Sequence, residues 1–176
     1  MLSDYLRTPR LVLRQPRPSD APFVFERWAQ DPEVTRYLTR RPHTSLADSE
    51  AFVQRCLTAW SDGRRLPWLL TLSDRDEPIG VLELRREGHM ANLGYLLARS
   101  AWGHGYMTEA VREVATRWFA LLGSWRLWAV CDVDNAASAR VLERAGLQRE
   151  GKLRRYIVHP NIGPDPRDVY LYASVR

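Results

Sequence analysis

Apolar and polar positions along this chain follow two rhythms, and the points where the rhythm changes mark the elements. RLVLR (10–14) reads as a short first strand. Ser19 and Asp20 are placed to cap a helix, and Phe23, Val24, Arg27 and Trp28 form the amphipathic run behind them. A second short helix is expected around Glu33 to Leu38, before Pro42 breaks the pattern. From Ser45 or Leu46 to about Trp60, the positions Ala51, Phe52, Cys56, Leu57 and Trp60 share an apolar helical face, and Gly63 is the stop. The period then drops to two. PWLLTLS, IGVLELRR and ANLGYLLA read as three antiparallel strands, joined by turns at DRDEP and EGHM.

The helical rhythm returns with Met107, Ala110, Val111, Val114, Ala115, Trp118, Phe119 and Leu122 on one face. Glu109, Arg112, Glu113, Thr116 and Arg117 lie opposite, and Gly123 closes the helix. WRLWAVC (125–131) is a nearly continuous apolar run, as expected for a strand covered on both faces. Strand, helix, strand in this order predicts a crossover between parallel neighbours. A further helix from Asn135 to Ala145 ends at Gly146. Two final strands, Lys152 to Val158 and Val169 to Val175, flank the loop HPNIGPDPR (159–167). The pattern is that of an α/β (α+β) fold with a mixed, mostly antiparallel sheet of about seven strands, in a single domain over residues 1–176.

Composition narrows the function. The 176 residues are 45% apolar and 27% charged, which fits one globular core. No run approaches the ~20 apolar residues of a membrane span or resembles a signal peptide, so a cytoplasmic protein is expected, without membrane association. Cys56 and Cys131 are too few for a disulfide framework or a metal cluster, and no histidine neighbours Cys131 in sequence to activate it. His43, His89, His104 and His159 lie far apart without metal-ligand spacing. The net charge is +5, and Lys152 is the only lysine. The arginines are spread over every segment rather than gathered on one element among aromatics, which argues against nucleic acid and favours a small polyanionic ligand or an acidic partner.

Two stretches carry candidate chemistry. In SAWGHGYMTEAV (100–111), Gly103, His104 and Gly105 stand between a predicted strand and the mouth of a predicted helix. Amides at a helix N-terminus point outward without partners, and glycine lets an anion approach them closely; a tight turn alone would also explain the glycines. In DVDNAASARVLERAGL (132–147), Asn135, Ser138, Val141, Leu142 and Ala145 share one face, so an amide and a hydroxyl sit at the inward end of an apolar stripe. Such groups need partners, which helix capping by Asn135 and a bond from Ser138 to its own backbone would also provide.

Taken together, strand, G-x-G, helix, strand and N-x-x-S-x-x-V-L-x-x-x-G-L resemble the GNAT N-acetyltransferase superfamily. Within it the chain looks like the ribosomal-protein N-terminal acetyltransferase (RimJ/RimL-like) branch. TPRLVLRQPRPSDAP resembles that branch's opening strand and helix, DPEVTRYL its second helix, NLGYLLARSAWGHGYMTEA its acetyl-CoA strand and phosphate loop, DVDNAASARVLERAGLQREGKLRR its distinctive segment and RDVYLYASVR its last strand.

The resemblance implies a GNAT-like sheet splayed near its middle with helices on both faces, and acetyl-CoA as acetyl donor without a metal. It implies that the backbone of Tyr95, Leu96 and Leu97 runs beside the pantetheine arm. The amides of Trp102, Gly103, His104, Gly105 and Tyr106 would hold the pyrophosphate, and Asn135 and Ser138 would face the cofactor near its sulfur. The acceptor implied is a primary amine, either a protein N-terminus or a small molecule, met by the variable segments Asp31 to Pro42 and His159 to Arg167.

Two positions depart from the family pattern. Ser100 stands where Gln or Arg is frequent, and Asn92 stands where an acid is frequent. The candidates for general base are therefore Glu83, Asp132 or an ordered water. The Leu97 amide is the candidate oxyanion donor, and Ser138 the candidate acid for the departing thiolate. The missing acid at Asn92 also suits an alternative, a non-catalytic acyl-CoA-binding regulatory module. Exposed edges among the last strands permit a homodimer and require none.

Overall fold

The computed structural model describes residues 2–176 and consists of eight strands in one sheet with helices on both faces. The strands are β1 (Tyr5–Arg7), β2 (Leu11–Arg14), β3 (Arg65–Leu72), β4 (Pro78–Glu87), β5 (Met90–Leu97), β6 (Arg126–Asp132), β7 (Gln148–Val158) and β8 (Pro166–Val175). Their spatial order is β1-β2-β3-β4-β5-β6-β8-β7. Every pairing is antiparallel except β5 with β6, the crossover read from the sequence. That parallel ladder covers only Met90–Arg126, Ala91–Leu127 and Asn92–Trp128, after which the two strands diverge.

The helices are α1 (Ala21–Val24), α2 (Pro32–Thr35), α3 (Leu46–Asp62), α4 (Tyr106–Phe119) and α5 (Ala136–Arg144). A π turn over Phe25–Ala29 extends α1. Strand alternation sorts the core into two layers. Trp68, Leu70, Leu82, Leu84 and Leu93 pack with Val111, Val114, Trp118 and Leu142 of α4 and α5. Leu69, Val81 and Leu96 point the other way, to Trp28, Phe52 and Val53. No helix among the described residues is long and apolar enough to cross a membrane.

The structure adds an eighth strand to the seven expected. Tyr5–Arg7 pairs with Leu11–Arg14 across a turn closed by the Thr8 amide on the Leu11 carbonyl (2.9 Å). Three residues are too few to display a period, and Thr8-Pro9 was the only signal of the turn. The helix expected over Glu33 to Leu38 is shorter. The Thr35 carbonyl accepts from the Leu38 amide (2.9 Å) and from Asn161 Nδ2 (2.7 Å), which tightens the last turn and ends the element. In α3, Ser49 and Val53 join Phe52 and Cys56 on the buried side while Ala51 is exposed. Leu122 lies beyond the end of α4 and is 96% exposed. Of the apolar run in β6, Leu127, Ala129 and Cys131 are buried, whereas Trp128 and Val130 on the opposite face are half-buried.

Candidate functional site

The loop at the mouth of α4 has the conformation that its glycines allow. Gly103 (φ 81°) and Gly105 (φ 78°) are both left-handed, and Gly105 is the N-cap of α4. The Trp102 amide is used internally, donating to the Arg99 carbonyl at 3.1 Å. The amides of Gly103, His104, Gly105 and Tyr106 find no acceptor among the described residues. Three consecutive loop amides and the first amide of a fourteen-residue helix are thus left open where the helix dipole is positive.

This loop is held from far away in sequence. Arg10, in the turn between β1 and β2, donates from Nη1 to the His104 carbonyl (3.0 Å) and from Nε to Glu109 (2.7 Å). Glu109 also accepts from the Thr8 hydroxyl (2.6 Å) and the Arg10 amide (3.0 Å). Burial alone would push its carboxyl up, but these bonds hold it below the usual range. A carboxylate in the first turn favours the helix yet would repel an incoming anion, and Arg10 neutralises it. The Arg10 guanidinium also lies over the Tyr106 ring (4.9 Å), which stacks on His104 (5.3 Å between centroids). A basic groove of about 490 Å³ starts beside Gly105 and includes Thr108, Arg112 and Arg144. Arg10 and Glu109 escaped sequence reasoning because nothing local links residues 99 apart.

Behind the loop, β5 leads into the gap between the diverging strands. Ala98 donates to the Ile79 carbonyl (2.8 Å), and the β4–β5 register continues without a break to Glu87–Met90. In an antiparallel pair donors alternate, so Leu96 faces β4 while the Tyr95 and Leu97 amides point away from it, past the end of the β5–β6 ladder. The Leu97 carbonyl accepts from the Trp102 indole (2.9 Å).

Across the gap stands α5. Asn135 caps it, its Oδ1 accepting from the Ser138 amide (3.1 Å). The Ser138 hydroxyl does not fold back on its own helix but meets the Tyr95 hydroxyl at 2.9 Å. Burial raises the Tyr95 pKa strongly, so this phenol keeps its proton. Cys131 lies behind the pair, and burial, followed by the charge of Asp132, pushes its thiol up to about 11. It is therefore no ready nucleophile at neutral pH.

The two acids take different positions. Glu83 is on β4 opposite Gly94, on the α3 side of the sheet. Burial alone would raise its pKa, but Arg65 Nε (2.7 Å) and Arg85 Nε (2.9 Å) hold it below the usual range. Arg85 Nη1 also donates to Asn92 Oδ1 (3.2 Å). Asp132 is 2% exposed and is gripped by Arg167 Nε (2.6 Å) and Nη2 (2.9 Å), with its Oδ1 also accepting from the Asp134 amide. The buried His159 lies 3.4 Å away. Asp132 thereby anchors the loop over 159–165 between β7 and β8. That loop docks on the segment after α2, with His159 edge-on to Tyr37 (5.9 Å) and Asn161 Nδ2 donating to the Arg40 carbonyl (2.8 Å). The two segments singled out as variable in the sequence are thus one wall, an arrangement with no signal in their spacing.

The Asp132 pKa is lowered, since the bonds from Arg167 outweigh the burial that would raise it. Its contribution to stability is present above the usual carboxylate pKa and lost as the pH falls through the lower folded value. The His159 pKa is lowered by burial, so protonation of His159 begins to destabilise the fold at higher pH, below its unfolded value. Asp132→Asn is expected to cost about 2 kcal/mol near pH 7 and to flatten the acid limb below about pH 4, measured by denaturant unfolding across pH.

Among the described residues, no three His, Cys, Asp or Glu side chains converge as a metal site. The profile of the acetyltransferase (GNAT) domain family matches residues 10–148. The chain is 32% identical over 174 residues to the uncharacterized N-acetyltransferase YoaA of Bacillus subtilis (strain 168), covering 97% of this chain and 96% of that protein. Among solved structures, the RimL ribosomal L7/L12 alpha-N-protein acetyltransferase in complex with coenzyme A superposes with a TM-score of 0.86 at 24% identity, covering 97% of each chain. The microcin C7 self-immunity acetyltransferase MccE, in complex with acetyl-CoA and AMP, also gives 0.86, at 19% identity and 96% and 94% coverage. The chain therefore belongs to the GNAT acetyltransferase family and is an N-acetyltransferase.

Proposed function

We propose that the protein transfers an acetyl group from acetyl-CoA to a primary amine, a protein N-terminus or a small molecule, by direct attack in a ternary complex. The observation that carries this reading is the run of open amides from Gly103 to Tyr106, beside strand amides that face the gap between β5 and β6. The pyrophosphate of acetyl-CoA fits the first group, whose dipole and geometry suit an anion. The backbone of Tyr95, Leu96 and Leu97 would then run beside the pantetheine, and RimL and MccE are themselves solved with coenzyme A or acetyl-CoA.

Acetyl-CoA supplies an activated thioester, and the chain's own groups do the rest. The Leu97 amide, which points into the gap, would donate to the thioester oxygen as negative charge grows there. Ser138, backed by the Tyr95 hydroxyl, donates a proton to the departing thiolate. Asn135 acts by capping α5 and setting the height of Ser138. Glu83 and Asp132 are both held by arginines and are weak bases, so proton removal falls to an ordered water beside Glu83. This suits an α-amine, with a pKa of about 8, better than a lysine at about 10.4.

The test is thiol release from acetyl-CoA with a panel of N-terminal peptides and polyamines. Acceptor-dependent release is expected. A tight acetyl-CoA complex without turnover on any amine would instead favour a regulatory acyl-CoA-binding module.

A further inference from the structure

The α3 side of the sheet, opposite Tyr95 and Ser138, is crowded with arginine. Arg65 and Arg85 pair with one carboxylate there, that of Glu83, and Arg40 lies close enough to feel the charges of Glu83, Arg55 and Arg85. Both oxygens of Glu83 are already taken, one by Arg65 and one by Arg85, so Glu83 offers little to Arg40.

Arg40 is placed rather than loose. Its carbonyl is fixed by Asn161 (2.8 Å), and its guanidinium lies 4.7 Å over the ring of Phe52, a buried residue of α3. Among the described residues it has no salt bridge; its side chain keeps access to solvent, and the protein crowded around it lowers its pKa. With Arg55 and Arg85 as its charged neighbours, an exposed cation that lacks a salt bridge is open to pairing with an incoming anion. Arg36 and Arg41 on the same segment, and Arg55 on α3, are exposed as Arg40 is and likewise without salt bridges among the described residues, so Arg40 belongs to an exposed basic patch.

We infer that the acceptor is an acidic peptide N-terminus, whose carboxylate side chains, close behind the α-amine, pair with Arg40. This rests on the acetyl-transfer reading above and names the acceptor for it. Several spaced arginines match a chain with more than one acid better than a single small anion. The same cationic face disfavours an ammonium, so it lowers the pKa of the bound amine and raises the fraction able to attack.

The test compares ten-residue peptides beginning Ser-Glu-Glu and Ser-Gln-Gln, with free glutamate as a third acceptor. The acidic peptide is expected to have a kcat/KM about tenfold higher, equivalent to ~1.4 kcal/mol. The ratio should shrink with added salt and approach one in Arg40→Gln, mainly through KM, with Arg40→Lys keeping part of it. A wild-type ratio near one, or an unchanged ratio in Arg40→Gln, would overturn the inference. Free glutamate reacting better than the acidic peptide would also do so. The salt dependence of the wild type requires no variant to fold. Calorimetry with acetyl-CoA on the same samples separates the two levels: loss of cofactor binding would count against acetyl transfer, whereas intact binding and turnover with no charge preference counts only against the acidic acceptor.

Discussion

Gly103→Trp is expected to raise the dissociation constant for acetyl-CoA about a thousandfold, or ~4 kcal/mol, while the protein still folds. Gly103 is exposed, and a Cβ built there meets no atom within 4 Å, so a large side chain displaces nothing in the protein. It fills the space over the open amides instead. The left-handed backbone at φ 81° adds a cost of about 1–2 kcal/mol for any non-glycine residue. Gly103→Ala isolates that strain, and a loss of about tenfold is expected from it alone. Calorimetry gives the affinities, and thermal unfolding shows that the fold survives. Unchanged affinity in the tryptophan variant would mean that the anion binds elsewhere.

Ser138→Ala is expected to lower kcat about a hundredfold while the dissociation constant for acetyl-CoA changes by no more than about threefold. The hydroxyl is the polar group of α5 that faces Tyr95 across the gap, and the helix needs only the Ser138 amide for its cap. After truncation the Tyr95 hydroxyl retains the Ser138 carbonyl at 3.3 Å, so little stability is lost. Tyr95→Phe removes the supporting donor but not the acid, and an intermediate loss of kcat is expected. Because burial raises the Tyr95 pKa, neither variant should shift the alkaline limb of the rate profile below about pH 9. Full activity in Ser138→Ala would move the acid role to another group.

Much of this site is legible in sequence because it is built from local devices. The glycines at 103 and 105, the helix that follows and the Asn135–Ser138 spacing each carry their geometry within a few residues. The short β5–β6 ladder follows from the strand, helix, strand order, although where the strands part is decided by packing. What could not be read are contacts between distant segments. Arg10 clamps a loop 94 residues away, and Asn161 fixes Arg40 from 121 residues away. Asp132, a candidate base by its place at a strand end, is buried and bonded to Arg167, a contact between distant segments. A carboxylate's role depends on which cations reach it, and nothing in a strand's pattern encodes that.

The central claim is that the amides of Gly103, His104, Gly105 and Tyr106 receive the diphosphate. Titrating ¹⁵N-labelled protein with coenzyme A and following these amides by NMR tests it directly. Saturable shifts at all four are expected, accompanied by Tyr95 and Leu97 and mimicked at the loop alone by inorganic pyrophosphate. Saturation of the protein by coenzyme A with these four resonances unmoved would contradict the claim.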